Sequence, residues 1–437
     1  MAGEVGQITR VRTRRNRTRP SGLDRRAFVK SLAAGVALGA RGNVWAAGGP
    51  LMAAAKTYDV AVIGAGVFGA WTAYQLNHVG QSVLLVDAYG ASNSRASSGG
   101  ESRIIRMGYG KDEVYSRWAM RALPLWQEFF ALILQPSLFH QTGVLWLAHK
   151  PDGYEHDCQV TLARLGAPHE RLSHDELARR YPQFNLESIT WALFEPESGV
   201  LMARRAVQAV VEQAVTNGVD YLDAEALAPS GSGRVHSVGT RRGDAIRAGA
   251  YVFACGPWLP KVFPELLGER IFPTRQEVYF FGVPAGDARF QPPALPTWIN
   301  LGDGEAYGMP DVENRGLKLA IDKHGPRFDP DTGSRIPTTE GLSDARRYVE
   351  HLFPAMKDAP VSETRVCQYE NTSSGDFLID HHPGFENVWL VGGGSGHGFK
   401  HGPALGEYVA ARITTGGEIE PRFTLATKGK MQHRAVY

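Results

Sequence analysis

The sequence predicts an α/β fold, because apolar strands followed by glycine-rich turns occur in three separate regions of its 437 residues. These regions, residues 57–121, 199–275 and 365–423, are expected to form one Rossmann-like, nucleotide-binding domain. Residues 122–198 and 276–364 alternate apolar and polar positions with proline and glycine breaks, which predicts an antiparallel-sheet α+β domain for the substrate. The chain is long enough for two such interleaved domains with a ligand site between them.

The composition is that of a globular protein, with 43% hydrophobic and 21% charged residues. The formal net charge of +2 hides an asymmetry, because residues 1–46 carry ten Lys or Arg and two acidic residues, a balance of +8. The rest of the chain therefore carries −6, which does not favour nucleic-acid binding. The three cysteines, Cys158, Cys255 and Cys367, are too few for a disulfide framework and lack metal-site spacing, so no bound metal is expected.

The first 46 residues have the form of an export signal. The segment DRRAFVK (residues 24–30) holds a pair of arginines, a short apolar run follows it, and VWA, ending at Ala46, offers small residues around a cleavage point. The apolar run is too short for a stable membrane span. We expect a twin-arginine signal, recognition by the twin-arginine export machinery, and a periplasmic or exported mature protein beginning near Ala47. The alternative is a disordered basic extension.

The stretch YDVAVIGAGVFGAWTAYQLNHVGQSVLLVD (residues 58–87) predicts a strand, a turn, a helix and a second strand. Gly64 permits the tight turn, Gly66 lets the backbone approach a pyrophosphate, and Gly69 allows close packing of helix on strand. The second strand ends at Asp87, where an acidic side chain accepts hydrogen bonds from ribose hydroxyls. This unit predicts a dinucleotide cofactor and argues against NADP, but it leaves FAD and NAD open.

Two further segments are expected near this unit. In ASSGGESRIIRMGYG (residues 96–110), Arg103 and Arg106 are three positions apart, so on a helical turn their guanidinium groups would share a face. Solvated surface arginines are the alternative. In AIRAGAYVFACGPWLP (residues 245–260), an apolar strand precedes Cys255 and is expected to join the same sheet.

The motifs VIGAGVFGAWTAYQL, SRIIR, GLKLA, RVCQY and GGGSGHGFK occur in this order along the chain. With them the chain resembles the flavin-dependent amine oxidases of the monomeric sarcosine oxidase type, a group that includes N-methyltryptophan, pipecolate and fructosyl amino acid oxidases. The resemblance covers roughly residues 58–423. It implies that the Rossmann-like domain is an FAD-binding domain.

The resemblance implies which residues bind the cofactor. Cys367 is expected to bond covalently to the 8α-methyl group of the flavin, since a thiolate is a strong nucleophile. The backbone of residues 396–399 is expected to stabilise negative charge on the flavin. Together with the dinucleotide motif, the cofactor-binding residues are Gly64, Gly66, Val67, Phe68, Gly69, Asp87, Ser102, Arg103, Cys367, Gly396, His397, Gly398, Phe399 and Lys400.

The resemblance also implies a set of catalytic residues. Arg106 and Lys400 are expected to hold the substrate carboxylate, the arginine as a fork and the lysine as a point charge. Lys318, in GLKLA, is expected near the flavin N5, where its positive charge promotes reaction with O2. Tyr307 and Tyr369 are expected to line the substrate pocket.

The implied function is FAD-dependent oxidation of the C–N bond of a secondary amine, an N-alkyl or cyclic amino acid, to an imine, with O2 as acceptor giving H2O2. A monomer is expected.

Where sarcosine oxidase has two histidines in the flavin loop this chain has Ser98 and Gly99. Where it has a pocket histidine this chain has Asp322, with His324 out of register. The open alternatives are a fructosyl or diamine substrate, a periplasmic dehydrogenase that passes electrons to a quinone or carrier, and a flavin-holding scaffold without turnover.

Overall fold

Two large β-sheets and one small sheet form the framework of residues 56–302 and 304–433, which the computed structural model describes. The predicted export signal, residues 1–46, lies outside this described part. In chain order the strands are β1 (Thr57–Ile63), β2 (Val83–Asp87), β3 (Arg103–Ile105), β4 (Phe139–His140), β5 (Val144–Ala148), β6 (Glu170–Ser173), β7 (Trp191–Glu195), β8 (Gly199–Leu201), β9 (Asp220–Asp223), β10 (Val238–Gly239), β11 (Ala245–Phe253), β12 (Phe272–Phe281), β13 (Thr297–Asn300), β14 (Ala306–Met309), β15 (Leu317–Ile321), β16 (Val361–Asn371), β17 (Leu378–His381) and β18 (Val388–Gly392).

Helices cover the sheets and connect their strands. The α-helices are α1 (Val67–His78), α2 (Glu113–Leu132), α3 (Tyr154–Leu165), α4 (His174–Arg180), α5 (Ala203–Thr216), α6 (Leu259–Val262), α7 (Pro264–Leu267), α8 (Thr339–Leu352) and α9 (Gly402–Thr415). Helix α8 shows why the sequence forms helix locally. The Thr338 hydroxyl caps its first turn by accepting from the Gly341 N–H, and Ala345, Val349 and Leu352 form its buried stripe.

The first sheet has the strand order β17-β18-β11-β1-β2-β9, with β10 attached to β11. Strand β1 pairs in parallel with β11 and with β2, and the parallel pairing continues to β18 on one side and to β9 on the other. Parallel sheets are covered on both faces, so their central strands need continuous apolar runs. The run from Val60 to Ile63 is buried accordingly. The prediction that residues 245–253 return to this sheet is confirmed.

The second sheet has the order β16-β12-β15-β14-β13-β5-β7-β6 and is antiparallel except between β13 and β5. Strand β12 alternates buried and half-buried residues along its first half, the period that a sheet with one covered face requires. The long strand β16 pairs with β12 along residues 272–281. A third, small sheet joins β3, β8 and β4.

The predicted fold class, an α/β protein with a parallel nucleotide-type sheet and a mainly antiparallel second sheet, is confirmed. The predicted domain boundary at residue 365 falls inside β16, a strand of the second sheet; the division into domains itself stays a prediction. The expectation of a shared helical turn for Arg103 and Arg106 is wrong. Residues 103–105 form strand β3, so side chains three positions apart point away from each other.

The turn between β1 and α1 is packed without room for side chains. A Cβ on Gly64 would lie 2.3 Å from the Ala254 carbonyl oxygen at the end of β11, and Gly64 has a φ of +107°. A Cβ on Gly69, in the first turn of α1, would lie 1.8 Å from the Gly64 carbonyl oxygen. Because three backbone segments meet here, the turn is fixed relative to two strands of the first sheet.

We predict that Gly69→Ala lowers the free energy of unfolding by about 3 kcal/mol or more, because the added methyl group meets backbone that belongs to the core. The control is Gly166→Ala, a left-handed glycine with φ +71° and no atom within 4 Å of the added Cβ. That change should cost about 1 kcal/mol. Denaturant unfolding followed by circular dichroism measures both values, and equal costs would contradict the packing described.

Candidate active site

A cavity of about 610 Å³ lies at the carboxyl ends of β1, β2, β11 and β18. Ligands of parallel α/β sheets bind at this edge, and the volume lies within the range of small-molecule sites. Many predicted cofactor-binding residues line it: Gly64, Gly66, Val67, Phe68, Asp87, Arg103, Gly396, Gly398 and Phe399. The remaining predicted cofactor-binding residues surround the cavity without lining it: Gly69, Ser102, Cys367, His397 and Lys400.

One end of the cavity is built by the β1–α1 turn. Gly66 is the N-cap residue of α1 and supplies no capping side chain. A Cβ on Gly66 would meet no atom closer than the Ser98 hydroxyl at 3.5 Å. No side chain therefore separates the start of α1 from the cavity. The first N–H groups of the helix and the positive end of its dipole face the cavity, an arrangement that binds phosphate.

Asp87 lies next to this turn, at the end of β2. Its carboxylate accepts hydrogen bonds from the Ala65 N–H (2.7 Å) and the Tyr89 N–H (2.8 Å). Burial raises the pKa of Asp87, while those backbone hydrogen bonds oppose the shift. The carboxylate is held in place at the cavity wall, as the ribose-binding acid of a dinucleotide site must be.

Arg103 and Cys367 lie together at the other end of the cavity. The Arg103 Nη2 is 3.3 Å from the Cys367 Sγ, and its Nη1 donates to the Ser102 carbonyl oxygen at 2.8 Å. Cys367 is buried, with 7% of its surface exposed. The Arg103 guanidinium therefore contacts the sulfur directly and holds it at this end of the cavity.

Lys318 lies on β15 and is buried, with 2% of its surface exposed. Its Nζ donates to the Ser102 carbonyl oxygen (2.8 Å) and hydroxyl (3.2 Å) and lies 6.0 Å from the centre of the Tyr307 ring. Burial, reinforced by the positive charge of Arg103, holds the pKa of Lys318 well below its usual range. Ser102, predicted as a cofactor-binding residue, thus positions this lysine.

Arg106 and Lys400 meet at Tyr109, a residue that the sequence analysis did not identify. The Arg106 guanidinium lies 4.2 Å from the centre of the Tyr109 ring, and the Lys400 Nζ donates to the Tyr109 hydroxyl at 2.8 Å. Lys400 also donates to the His397 carbonyl oxygen at 2.9 Å. Burial, followed by the charge of Arg106, holds the pKa of Lys400 well below its usual range. The predicted pair of cations is therefore brought together.

Glu195, on β7, fixes the loop that carries Arg106. It is 1% exposed and accepts four hydrogen bonds, from Met107 N (2.6 Å), Gly108 N (3.0 Å), Trp146 Nε1 (2.7 Å) and Ser198 Oγ (2.6 Å). The Trp146 ring in turn lies 4.7 Å from the Arg106 guanidinium. This role could not be predicted, because a single glutamate at the end of an apolar strand has no distinctive spacing.

The loop before α9 differs in part from the expectation. The N–H groups of His397 and Gly398 donate to the Gly394 carbonyl oxygen at 2.9 and 2.8 Å, so they are used within the loop. The His397 ring lies 3.3 Å from the Tyr109 hydroxyl and 2.9 Å from the Gly375 carbonyl oxygen. The fully buried His401 approaches the same hydroxyl at 2.7 Å. This segment therefore supports Tyr109 and Lys400 as well as closing the cavity.

Tyr307 and Tyr369 form a hydrogen-bonded pair beside the cavity. The Tyr369 hydroxyl donates to the Asp322 carboxylate at 2.8 Å, and the His324 ring lies 6.0 Å from the Tyr369 ring. Burial raises the pKa of Tyr307 to about 12. Both hydroxyls therefore stay protonated near neutral pH, and the Asp322 carboxylate lies at the end of the pair.

Residues 59–412 match the protein family described as DAO, FAD dependent oxidoreductase. This match covers most of the chain. The chain belongs to this family. The residues of the cavity fit FAD: the side-chain-free turn at the start of α1 would hold the phosphates, Asp87 would hold the adenosine ribose, and Arg103 and Tyr369 would line the place of the flavin ring.

Several named FAD enzymes are similar to the chain along almost their whole length. Monomeric sarcosine oxidase of Bacillus sp. (strain NS-129) is 31% identical over 370 residues, 82% of this chain and 93% of that protein. Peroxisomal sarcosine oxidase of Homo sapiens is 30% identical over 380 residues, which are 85% of this chain and 96% of that protein. N-methyl-L-tryptophan oxidase of Salmonella arizonae is 30% identical over 372 residues, 81% and 94%. The resemblance to this group is confirmed.

Solved structures share the fold at lower identity. L-proline dehydrogenase from P. horikoshii matches with a TM-score of 0.75 and 22% identity, covering 85% of this chain and 97% of that one. A thermally stable mutant of fructosyl peptide oxidase matches with a TM-score of 0.70 and 20% identity, covering 84% of this chain and 93% of that one.

Within residues 56–302 and 304–433 no helix is long and apolar enough to cross a membrane, and no group of three or more His, Cys, Asp or Glu could hold a metal ion.

We predict that Glu195→Gln lowers the free energy of unfolding by about 3 kcal/mol, because an amide group leaves buried N–H and O–H donors without an acceptor. The control is Glu170→Gln, which removes a half-exposed ion pair with Arg180 and should cost less than about 1 kcal/mol. Thermal and denaturant unfolding of both variants measure the costs. A Glu195→Gln protein as stable as the control would show that this carboxylate does not hold the Arg106 loop.

Proposed function

We propose that the chain oxidises the C–N bond of a secondary amine that carries a carboxylate, an N-alkyl or cyclic amino acid, to an imine. The observation that carries this proposal is the meeting of two buried cations, Arg106 and Lys400, at Tyr109 beside the cofactor cavity. Burial makes a positive charge on Lys400 beside Arg106 costly, and a bound carboxylate offsets that cost. The relatives named for sarcosine and N-methyl-L-tryptophan act on N-methylated amino acids, which have both groups.

When bound, FAD takes up the two electrons and the hydrogen removed from the amine-bearing carbon and delivers them to an acceptor. The chain's own residues orient the substrate. Arg106 and Lys400 hold the carboxylate, and the paired hydroxyls of Tyr307 and Tyr369 line the other side. Water hydrolyses the released imine to a carbonyl compound and an amine.

O2 is the proposed acceptor, giving H2O2. The support is that Lys318 and Arg103 both donate to the Ser102 carbonyl oxygen at 2.8 Å, so that a guanidinium charge and a buried amine lie where O2 would gain an electron. A unit charge pair about 4 Å apart interacts by roughly 4 kcal/mol at an effective dielectric constant of ~20. Transfer to a quinone or carrier in place of O2 is the alternative, and turnover under air separates the two.

We further propose that the flavin is attached to Cys367 through its 8α-methyl group. The support is the position of the sulfur, which is buried and lies 3.3 Å from the Nη2 of Arg103, a residue that lines the cavity. One S–H and one C–H bond are replaced by a C–S bond, so two electrons and two protons leave, and O2 accepts them. Such a bond would prevent loss of the cofactor.

The pair of arginines in DRRAFVK supports a second part of the proposal, export of the folded protein by the twin-arginine route. Export of the folded chain allows FAD to be inserted before secretion. Cell fractionation of the wild type and of a variant with Lys at positions 25 and 26 tests this. The wild type should lie in the periplasm and the variant should stay inside the cell.

The amine oxidase proposal is tested by mixing the purified yellow protein with candidate amines without oxygen. Sarcosine, pipecolate, other N-methyl amino acids and fructosyl amino acids are the series to compare, because Asp322 replaces a histidine and leaves the substrate side chain open. A true substrate bleaches the flavin absorbance, and admission of air restores it with one H2O2 per turnover. Absence of bleaching with every amine would favour a flavin-holding scaffold, and bleaching without peroxide would favour a dehydrogenase.

We predict that carboxylate binding at the Arg106–Lys400 site takes up a proton and weakens as pH rises. The pKa of Lys400 is lowered in the free protein by burial, and a bound anion favours its charged form. Titration of acetate by calorimetry in buffers of different ionisation enthalpy measures the uptake. Lys400→Met should abolish the uptake and lower kcat/KM at least tenfold, or about 1.4 kcal/mol, whereas Lys150→Met, at an exposed position, should change neither.

We predict that acid precipitation of the wild type leaves the flavin colour in the protein pellet, while Cys367→Ser releases it to the supernatant. Cys158→Ser is the matched control, because Cys158 is also buried but its Sγ accepts from the Gly110 N–H away from Arg103. Mass spectrometry of the peptide that contains Cys367 locates the adduct. Release of all colour from the wild type would exclude the bond to Cys367.

A further inference from the structure

A glutamate lies inside the cofactor cavity and is not used by any step above. Glu370 lies on β16 close to Cys367, lines the cavity, and is 6% exposed. Its carboxyl group reaches across the ends of two strands of the first sheet. A Cβ on Gly392, the last residue of β18, would lie 2.4 Å from Oε1, and a Cβ on Gly256, just after β11, would lie 4.0 Å from Oε2.

The surroundings of Glu370 disfavour a negative charge. Its Oε1 is buried without a hydrogen-bond partner within the described part of the chain. Burial raises the pKa of Glu370 to about 8, although the backbone N–H groups of Gly393 and Gly394 act in the opposite direction. The other charged or titratable residues that line the cavity are Asp87, Tyr89, Arg95, Arg103, Glu225, Arg241, Cys255, Lys261, Asp331 and Tyr369.

The position of Glu370 along the cavity identifies the part of FAD that it meets. On one side lies the phosphate-binding turn, since a Cβ on Gly64 would be 3.2 Å from the Cys255 N, and Glu370 acts electrostatically on the Cys255 thiol. On the other side lie Cys367 and Tyr369, at the flavin end. The segment of FAD between phosphates and ring is a chain of hydroxyl groups, and its oxygens and those of the phosphates accept hydrogen bonds.

We propose that Glu370 is a cofactor-binding residue that stays a neutral carboxylic acid and donates a hydrogen bond to an oxygen of the segment joining the FAD phosphates to the flavin ring. A carboxylate at this place would repel the phosphates and would have no proton to donate. The neutral acid removes the repulsion and supplies the donor. This inference rests on FAD occupying the cavity and is independent of the amine and of the electron acceptor.

The protonation has a defined pH signature. The folded protein holds the Glu370 proton up to about pH 8, while the ordinary pKa of a glutamate is 4.5. The folded state therefore binds more protons than the unfolded state between these values, so the stability that this group contributes is complete below about pH 4.5 and is lost as pH rises to about 8. The Glu370→Gln variant has no carboxyl proton to lose, so its stability does not show this decline with rising pH.

The first experiment compares the FAD-loaded wild type with FAD-loaded Glu370→Gln. Infrared spectroscopy should show the carbonyl band of a protonated carboxylic acid near neutral pH in the wild type and not in the variant. The melting temperature of Glu370→Gln relative to wild type should rise between about pH 4.5 and about pH 8 and then level off. The control is Glu225→Gln, which lines the same cavity but is ion-paired with Arg241, and it should keep the infrared band.

The second experiment measures FAD affinity by fluorescence in a Cys367→Ser background, where binding is reversible whether or not the wild type forms a covalent bond. Glu370→Gln, which keeps a donor of the same length, should bind FAD within about threefold of Glu370, and Glu370→Leu should bind about tenfold more weakly. Above about pH 8 the Glu370 protein should lose affinity while the Gln variant does not.

Two results would overturn the inference. Lack of the protonated-acid band, together with parallel melting profiles of wild type and Glu370→Gln, would show an ionised Glu370. Equal FAD affinity of the Gln and Leu variants would show that no hydrogen bond to the cofactor is made. If the Cys367→Ser protein does not fold, the infrared and melting data on the Cys367-containing protein still decide the protonation state. Both readouts are independent of turnover, so failure of the amine oxidase proposal would not affect them.

Discussion

The active site depends on the burial of positive charge that is held by neutral groups. Lys318 donates to the carbonyl oxygen and hydroxyl of Ser102, Lys400 to Tyr109 and a backbone carbonyl, and Arg103 to the Ser102 carbonyl oxygen. Neutral acceptors orient a basic group but do not offset the cost of charging it in a buried place. Arg103 and Arg106 make the site electropositive, and Lys318 and Lys400 gain charge most readily when an anion enters, so the site favours negative charge such as a carboxylate or a reduced oxygen species.

Strand β16 connects this electropositive site to the cofactor. It carries Cys367, Tyr369 and Glu370 within four positions, yet its hydrogen-bonded partner is β12 of the second sheet. The strand thus brings residues of the substrate side into contact with the edge of the nucleotide-binding sheet. A displacement of β16 would change the thiol, the tyrosine pair and the buried acid together, which explains why its pairing with β12 is long.

The parts of the fold that could be predicted from the sequence are local. The spacing from Gly64 to Asp87 specifies a strand, a turn, a helix and a second strand, and each is stabilised by residues close in the chain. Cys367, Lys318 and Lys400 were identified through motifs of a resembling family. Tyr109, Glu195 and Glu370 were missed because their roles come from contacts across more than eighty positions, in the clearest case between Glu195 and Met107. A buried acid and an exposed one look alike in a sequence.

The start of α1 has a consequence for the order of events in the cell. With Gly66 at the N-cap and no side chain to accept from the first helical N–H groups, this end of the helix is completed only by a ligand with negative oxygens. A ligand that binds the folded chain and not the unfolded chain raises the stability of the fold by mass action. The cofactor is then part of the folding equilibrium of the nucleotide-binding sheet, and the supply of FAD would set how much of the chain is folded.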